Sequence, residues 1–246
     1  MSTLILALAA GAVIGVALGA LGGGGSVLAV PALLYLLDFS PAAATTASLI
    51  IVTATSATAL YAHARDGNVA WRTGTLFAAA GIVPAYATGL ASAHVPEAAL
   101  TVAFSVVAAL AALRMLRPAT GNAAGAVRPV KAAGAGAGLG AVTGFLGVGG
   151  GFLAVPALVG VLGLRMKQAV GTSLLVIVVN SLAALAARTG SGELRWEIIA
   201  PFAGAAILGA WDGKRLAARV TGNTLQRVFA FVLLAVAAFM LVDAVV

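Results

Sequence analysis

The residues of this chain best suited to chemistry are two glycine clusters, Gly22-Gly23-Gly24-Gly25 followed by Ser26, and Gly147 with Gly149-Gly150-Gly151. Consecutive glycines weaken a helix by about 1 kcal/mol each, and both clusters interrupt apolar runs. A backbone that leaves the helix in hydrocarbon strands N–H groups, each costing several kcal/mol unless protein, water or a ligand satisfies it. Glycine leaves no side chain between those groups and a ligand. The half-helix beginning at Ser26, or at Phe152, then presents free N–H groups and the positive end of its dipole, which suits an anion. The next apolar run opens with small hydroxyls, Thr45, Thr46 and Ser48 in one place and Thr172 and Ser173 in the other. These can donate to an oxyanion without bringing charge into lipid. Asn180, an amide inside an apolar run, completes the expected substrate-binding set.

Each of these residues also has a plainer use. Hydroxyls in apolar helices commonly bond their own i−4 carbonyl, and Asn180 can serve an interhelical hydrogen bond. Gly11, Gly15 and Gly19 recur at every fourth residue, as do Gly136, Gly140 and Gly144. That spacing predicts close helix packing rather than ligand contact.

The elements that must position these groups are membrane helices. The chain is 62% apolar and 9% charged with a mean hydropathy of +1.11, against about 45–50% and about 25% for soluble domains. Apolar runs cover about 3–37, 41–63, 73–93 and 97–116, and the pattern recurs 125 residues on. Gly19–Leu33 and Gly144–Leu158 share 11 of 15 residues at that shift, which also pairs Ser48 with Ser173 and Trp71 with Trp196. The expected organisation is one membrane domain over 1–246: repeat one 3–116, a cytoplasmic linker 117–132 and repeat two 133–243. Met1–Gly23 resembles a signal peptide, but it lacks a basic start and has an internal counterpart, so it reads as mature structure.

Charge sets the topology. If the linker is cytoplasmic, 12 of the 14 Lys and Arg fall in cytoplasmic segments, and only Arg188 and Arg195 lie outside. Matching loops carry opposite character, so matching segments lie on opposite sides. The fold class expected is an all-α integral membrane protein of two tandem inverted-topology repeats, each a Gly-broken hairpin plus three transmembrane helices. The piece after the first break, Ser26–Leu37, reaches only about 18 Å, short of a core of about 30 Å. A re-entrant hairpin is the reading, although a hairpin that crosses fully twice fits the same parity. Inversion would bring the two breaks together near the midplane.

Other classes find little support. Without cysteine there is no disulfide, thiolate nucleophile or Cys-ligated metal. His63 and His94 stand 31 residues apart with no acidic cluster beside them, so neither a metal nor another cofactor is expected. His63, Arg188 and Asp212 sit at the ends of apolar runs, where charged side chains snorkel to the interface. No HExxH or GxSxG occurs, so an enzyme is not expected. The net charge of +7 reads as positive-inside topology rather than as nucleic-acid binding.

The paired VPAL segments, Val30–Leu33 and Val155–Leu158, are each followed by TASL (Thr46–Leu49) or GTSL (Gly171–Leu174). This doubled pattern resembles the signature of the TauE/SafE sulfite exporters, also called the toluene sulfonate uptake permeases. The resemblance implies a multi-pass carrier in a bacterial cytoplasmic membrane, exporting a small anion such as sulfite, a sulfonate or a related organic anion. The first copy departs from it, with Thr46-Ala47 where Gly171-Thr172 stand. A non-transporting membrane scaffold or assembly factor is the alternative.

Overall fold

The computed structural model describes residues 2–92, 97–116, 128–145, 151–186 and 194–245, and every regular element among them is helical. In chain order these are α1 (Ser2–Leu21), a 3₁₀ turn (Gly22–Gly25), α2 (Ser26–Pro31), a π turn (Ala32–Leu36), α3 (Pro41–Arg65), α4 (Trp71–Ser92) and α5 (Glu97–Leu116). After the linker come α6 (Pro129–Phe145), α7 (Gly151–Gly160), α8 (Met166–Ala186), α9 (Trp196–Arg219) and α10 (Gly222–Val245). Four of them combine the length and hydropathy of a membrane span: Thr3–Leu21, Ala43–Arg65, Met166–Leu185 and Gly222–Val242. α4, α5 and α9 reach spanning length at 22, 20 and 24 residues. α6 begins at Pro129, inside the segment expected as linker, because a proline at the first helical position gives up no hydrogen bond.

Local chemistry explains the boundaries. Ser40 caps α3 by accepting from the Ala43 amide at 3.4 Å, and Pro41 follows at the first helical position. Pro31 has no N–H to donate, and the π turn Ala32–Leu36 follows it directly. Trp71 and Trp196 open α4 and α9 and stand about half exposed, in keeping with an interfacial belt.

The packing of the two halves is reciprocal. α1 lies along α9 in the same direction, with Gly11, Gly15 and Gly19 against the backbone of Phe202, Ala206 and Ala210. α6 lies along α4 in the same way, with Gly136 against Phe77 and Gly140 against Gly81. Moving either set by 125 residues gives the other. A Cβ at any of the five would overlap a backbone carbonyl of the partner helix, which is the close approach that small-xxx-small faces permit.

Equivalent helices pair head to tail. Gln226, in the second turn of α10, donates to the Met115 carbonyl at the end of α5. The Ala70 amide, just past α3, donates at 3.0 Å to Thr172 Oγ1 near the start of α8. Both pairs therefore run antiparallel. With the Lys214–Asp66 pair and a cavity shared by Asp66, Lys167, Lys214 and Leu225, these contacts gather the ends of α3, α5 and α9 and the starts of α8 and α10 at one end of the bundle, where Arg65, Arg114, Lys167, Lys214 and Arg227 stand. At the opposite end Arg195 stacks over the Phe39 ring at 4.1 Å and donates to the Leu37 carbonyl.

Two buried clusters fill the interior. One joins α4, α5, α7, α8 and α10 around Phe77, Leu158 and Phe229. The other joins α1, α3, α8 and α9 around Leu18, Ile51 and Phe202. Large apolar side chains such as Val83, Leu208 and Val13 face outward, as lipid contact requires.

Candidate anion site and basic vestibule

α1 has 20 residues, which at 1.5 Å per residue reach about 30 Å, the thickness of a hydrocarbon core. The first glycine cluster therefore comes at its far end. Gly22 has φ of 67° and is buried, a left-handed conformation that L side chains avoid. A Cβ there would lie 2.5 Å from Ser173 Oγ and 3.1 Å from the Val170 carbonyl oxygen. The break of the first half thus meets a hydroxyl of the second. The Gly22–Gly25 turn also packs against α7, the helix that Gly151 begins.

Ser173 is the eighth residue of α8, about 10 Å from its start. Gly22 accordingly lies toward the basic end of the bundle rather than at its middle.

Of the expected hydroxyls, Thr46, Ser48, Thr172 and Ser173 are buried and Thr45 is partly buried, and the protons of the two serines point into their own helices. Ser48 Oγ donates to the Thr45 carbonyl and Ser173 Oγ to the Val170 carbonyl, each at 2.8 Å. Thr55 Oγ1 donates to the Ile51 carbonyl at 2.7 Å. Thr172 Oγ1 accepts from the Ala70 amide, while Thr46 is buried in α3 and Asn180 is half-buried in α8. Gly23 is buried beside Gly22, and Gly24, Gly25 and Ser26 continue the helical path. Gly147, Gly149 and Gly150, the counterparts of Gly22, Gly24 and Gly25 at the 125-residue shift, lie outside the described residues. Gly171 replaces Thr46 of the first copy for a steric reason: a Cβ at Gly171 would overlap the Asn68 carbonyl oxygen and lie 3.3 Å from His63 Cβ.

Beyond Gly22, at the basic end, is a cavity of about 160 Å³ whose wall includes Ala20, His63, Asp66, Asn68, Lys167 and Lys214. Asn68 and Lys167 also line a neighbouring cavity of about 280 Å³ with Arg165 and Gln168. Lys214 Nζ pairs with Asp66 Oδ2 at 2.8 Å and donates to the Ala62 carbonyl at 2.6 Å. The hydrogen bond and charge of Lys214 hold the Asp66 carboxyl below its ordinary range.

His63 does not snorkel as its position in the sequence suggests. It is 5% exposed, and its Nε2 lies 3.2 Å from the Gly19 carbonyl oxygen. The end of α1 covers it, because that helix runs the full depth of the bundle. Sequence reasoning missed the cluster of His63, Asp66, Lys167 and Lys214. The available signal was that all four fall in or beside segments that charge assigns to one side.

The sequence pattern of the sulfite exporter TauE/SafE family matches residues 7–240. A "Probable membrane transporter protein" of Xylella fastidiosa (strain 9a5c) is 34% identical over 250 residues, covering 98% of this chain and 96% of the relative. A protein of the same name from Xylella fastidiosa (strain Temecula1 / ATCC 700964) is 33% identical over the same coverage. No solved structure matches. A match across nearly the whole chain, on an all-helical bundle with the length and hydropathy to span a membrane, places this protein in the sulfite exporter TauE/SafE family of membrane transporters.

Proposed function

We propose that the protein is a secondary transporter that carries a small anion, such as sulfite or a sulfonate, out of a bacterial cytoplasm, and that the anion passes the glycine breaks. The observation that carries this reading is the meeting of Gly22 with Ser173 beside a cavity walled by Lys167 and Lys214. A hydroxyl that can rotate off its own helix and two ammonium groups form a surface that favours negative charge. The names of the family and of the Xylella proteins agree with transport.

The two halves act as inverted repeats, each a broken hairpin with three spans. Antiparallel pairing of α3 with α8 and of α5 with α10 supports this, since helices exchanged by an axis lying in the membrane plane must run in opposite directions. Ser26–Leu36 returns only about 16 Å from the break, which favours a re-entrant arm.

Purified protein in liposomes tests the function. A gradient-driven flux of sulfite or methanesulfonate, with no flux of organic cations, is expected. No flux with any of a broad panel of anions would reject the carrier in favour of a scaffold.

A further inference from the structure

We infer that the cavity at the basic end is a vestibular anion site of its own, in which His63 takes up one proton from the adjoining solution as a small oxyanion enters. The inference rests on the anion reading above and adds both a location and a coupling ion.

The imidazole fixes its own protonation chemistry. A carbonyl can only accept, so the ring nitrogen facing the Gly19 oxygen, Nε2, must carry the hydrogen. In the neutral ring Nδ1 is then a bare acceptor. It is buried and has no hydrogen-bond partner among the described residues, in a residue that forms part of the cavity wall. Buried polar atoms are rarely left so. Protonation converts Nδ1 into a charged donor, which an anion in the cavity would satisfy. The proton from solution forms the Nδ1–H bond, and the imidazolium offers that hydrogen to the oxyanion.

The surrounding charges favour the same occupant. Lys214 from α9 and Lys167 from α8 line the cavity, opposed by Asp66 at the end of the histidine's own helix. α1 contributes the Gly19 carbonyl and α10 contributes Leu225. Two of the three Lys214 donors are used by Asp66 and the Ala62 carbonyl, which leaves one for a ligand. The volume of about 160 Å³ is well above the ~10–15 Å³ that one water needs, enough for an anion of four or five heavy atoms.

The site is confined to one end. Under the 125-residue repeat the counterparts of His63, Asp66 and Lys214 are Arg188, Ser191 and Gly89, a set with no histidine and no carboxylate. The repeat therefore does not carry this set of groups to the aligned positions of the other half.

The test is calorimetric titration of the full chain in nanodiscs with methanesulfonate, whose own charge is constant across the range of about pH 5.5 to 8 where histidine titrates. Buffers of different ionisation enthalpy report protons taken up per anion bound. The wild type should take up close to one proton on the alkaline side of this range, with affinity rising up to about tenfold per unit fall in pH. His63→Gln, whose amide can keep the Gly19 contact, should bind without proton uptake. Lys214→Gln should weaken binding by about tenfold or more, with Lys214→Arg restoring most of it. The wild-type measurement needs no variant to fold: binding with no proton uptake anywhere in the range overturns the inference, as does uptake that persists in His63→Gln. Liposome flux on the same preparation separates the two readings. Anion flux with proton-independent binding defeats the vestibular site alone, whereas absence of flux for every anion defeats both.

Discussion

Gly22 and Ser173 touch across the two halves of the chain, with the glycine in a left-handed turn and the serine hydroxyl 2.5 Å from where a β-carbon would stand. One position thus combines a backbone constraint with a steric one, and the two can be separated. Gly22→Ala meets both, with the φ penalty alone costing about 1–2 kcal/mol. Ser173→Ala removes only the oxygen. The double variant should recover part of the lost stability but not the φ cost, giving a coupling of about 0.5 kcal/mol or more in a double-mutant cycle. Flux of the Gly22→Ala protein should fall further than the amount of folded protein. Full transport per folded molecule would show that the break is only a turn.

The glycines of α1 and α6 should behave differently. Gly15 and Gly140 lie against the Ala206 and Gly81 carbonyls with no space for a methyl group. Overpacking of this kind costs about 1–3 kcal/mol, and rigid backbone on both sides puts these sites at the upper end. Gly15→Ala and Gly140→Ala should lower the melting temperature in detergent while flux per folded molecule stays near wild type. Loss of flux without loss of stability at either position would place it on the substrate path instead.

That Gly15 packs closely on another helix was legible in the sequence because spacing by four is a local pattern that fixes one helix face, whereas its partner Ala206 was not. The repeat was legible for a similar reason, since 125 residues of offset preserve Trp71 and Trp196 together with the VPAL segments. The depth of Gly22 was not, because it depends on how far α1 travels before turning, which only the contacts with Ser173 and His63 reveal. The cluster of His63 with Lys214 was hidden by distance, 151 residues along the chain. A histidine at the end of an apolar run looks solvated until the carbonyl of another helix covers it.

The Lys214–Asp66 pair gives a pH dependence of definite sign. The Asp66 carboxyl is held below its unfolded value of about 3.9, so the pair contributes stability above that value and loses it as pH falls through the lower, folded pKa. With Asp66 about half exposed, the contribution is small. Infrared titration of the carboxyl band, assigned with Asp66→Asn, should show Asp66 still ionised at about pH 3.9. In Lys214→Met its midpoint should rise. An unchanged midpoint in that variant would mean that Lys214 does not set the Asp66 charge.

The direction of the repeats can be tested without background labelling, because the chain has no cysteine. Gln226 reaches the Met115 carbonyl at 2.5 Å, so Met115→Cys with Gln226→Cys should be joined by a short bifunctional thiol reagent. Met115→Cys with Val242→Cys should not, since 16 residues of α10 separate Val242 from Gln226, about 24 Å along the helix. Parallel pairing of α5 and α10 would reverse these outcomes. Sidedness is expected from charge, because a cytoplasmic linker puts 12 of the 14 Lys and Arg in cytoplasmic segments. A cysteine within Gly121–Gly125 should react with an impermeant thiol reagent from the same face as Gln226→Cys, while tags on the two termini should both appear on the opposite face. Each half then makes an odd number of crossings. Termini on opposite faces would require an even number in one half and an odd number in the other, which no inverted repeat can satisfy.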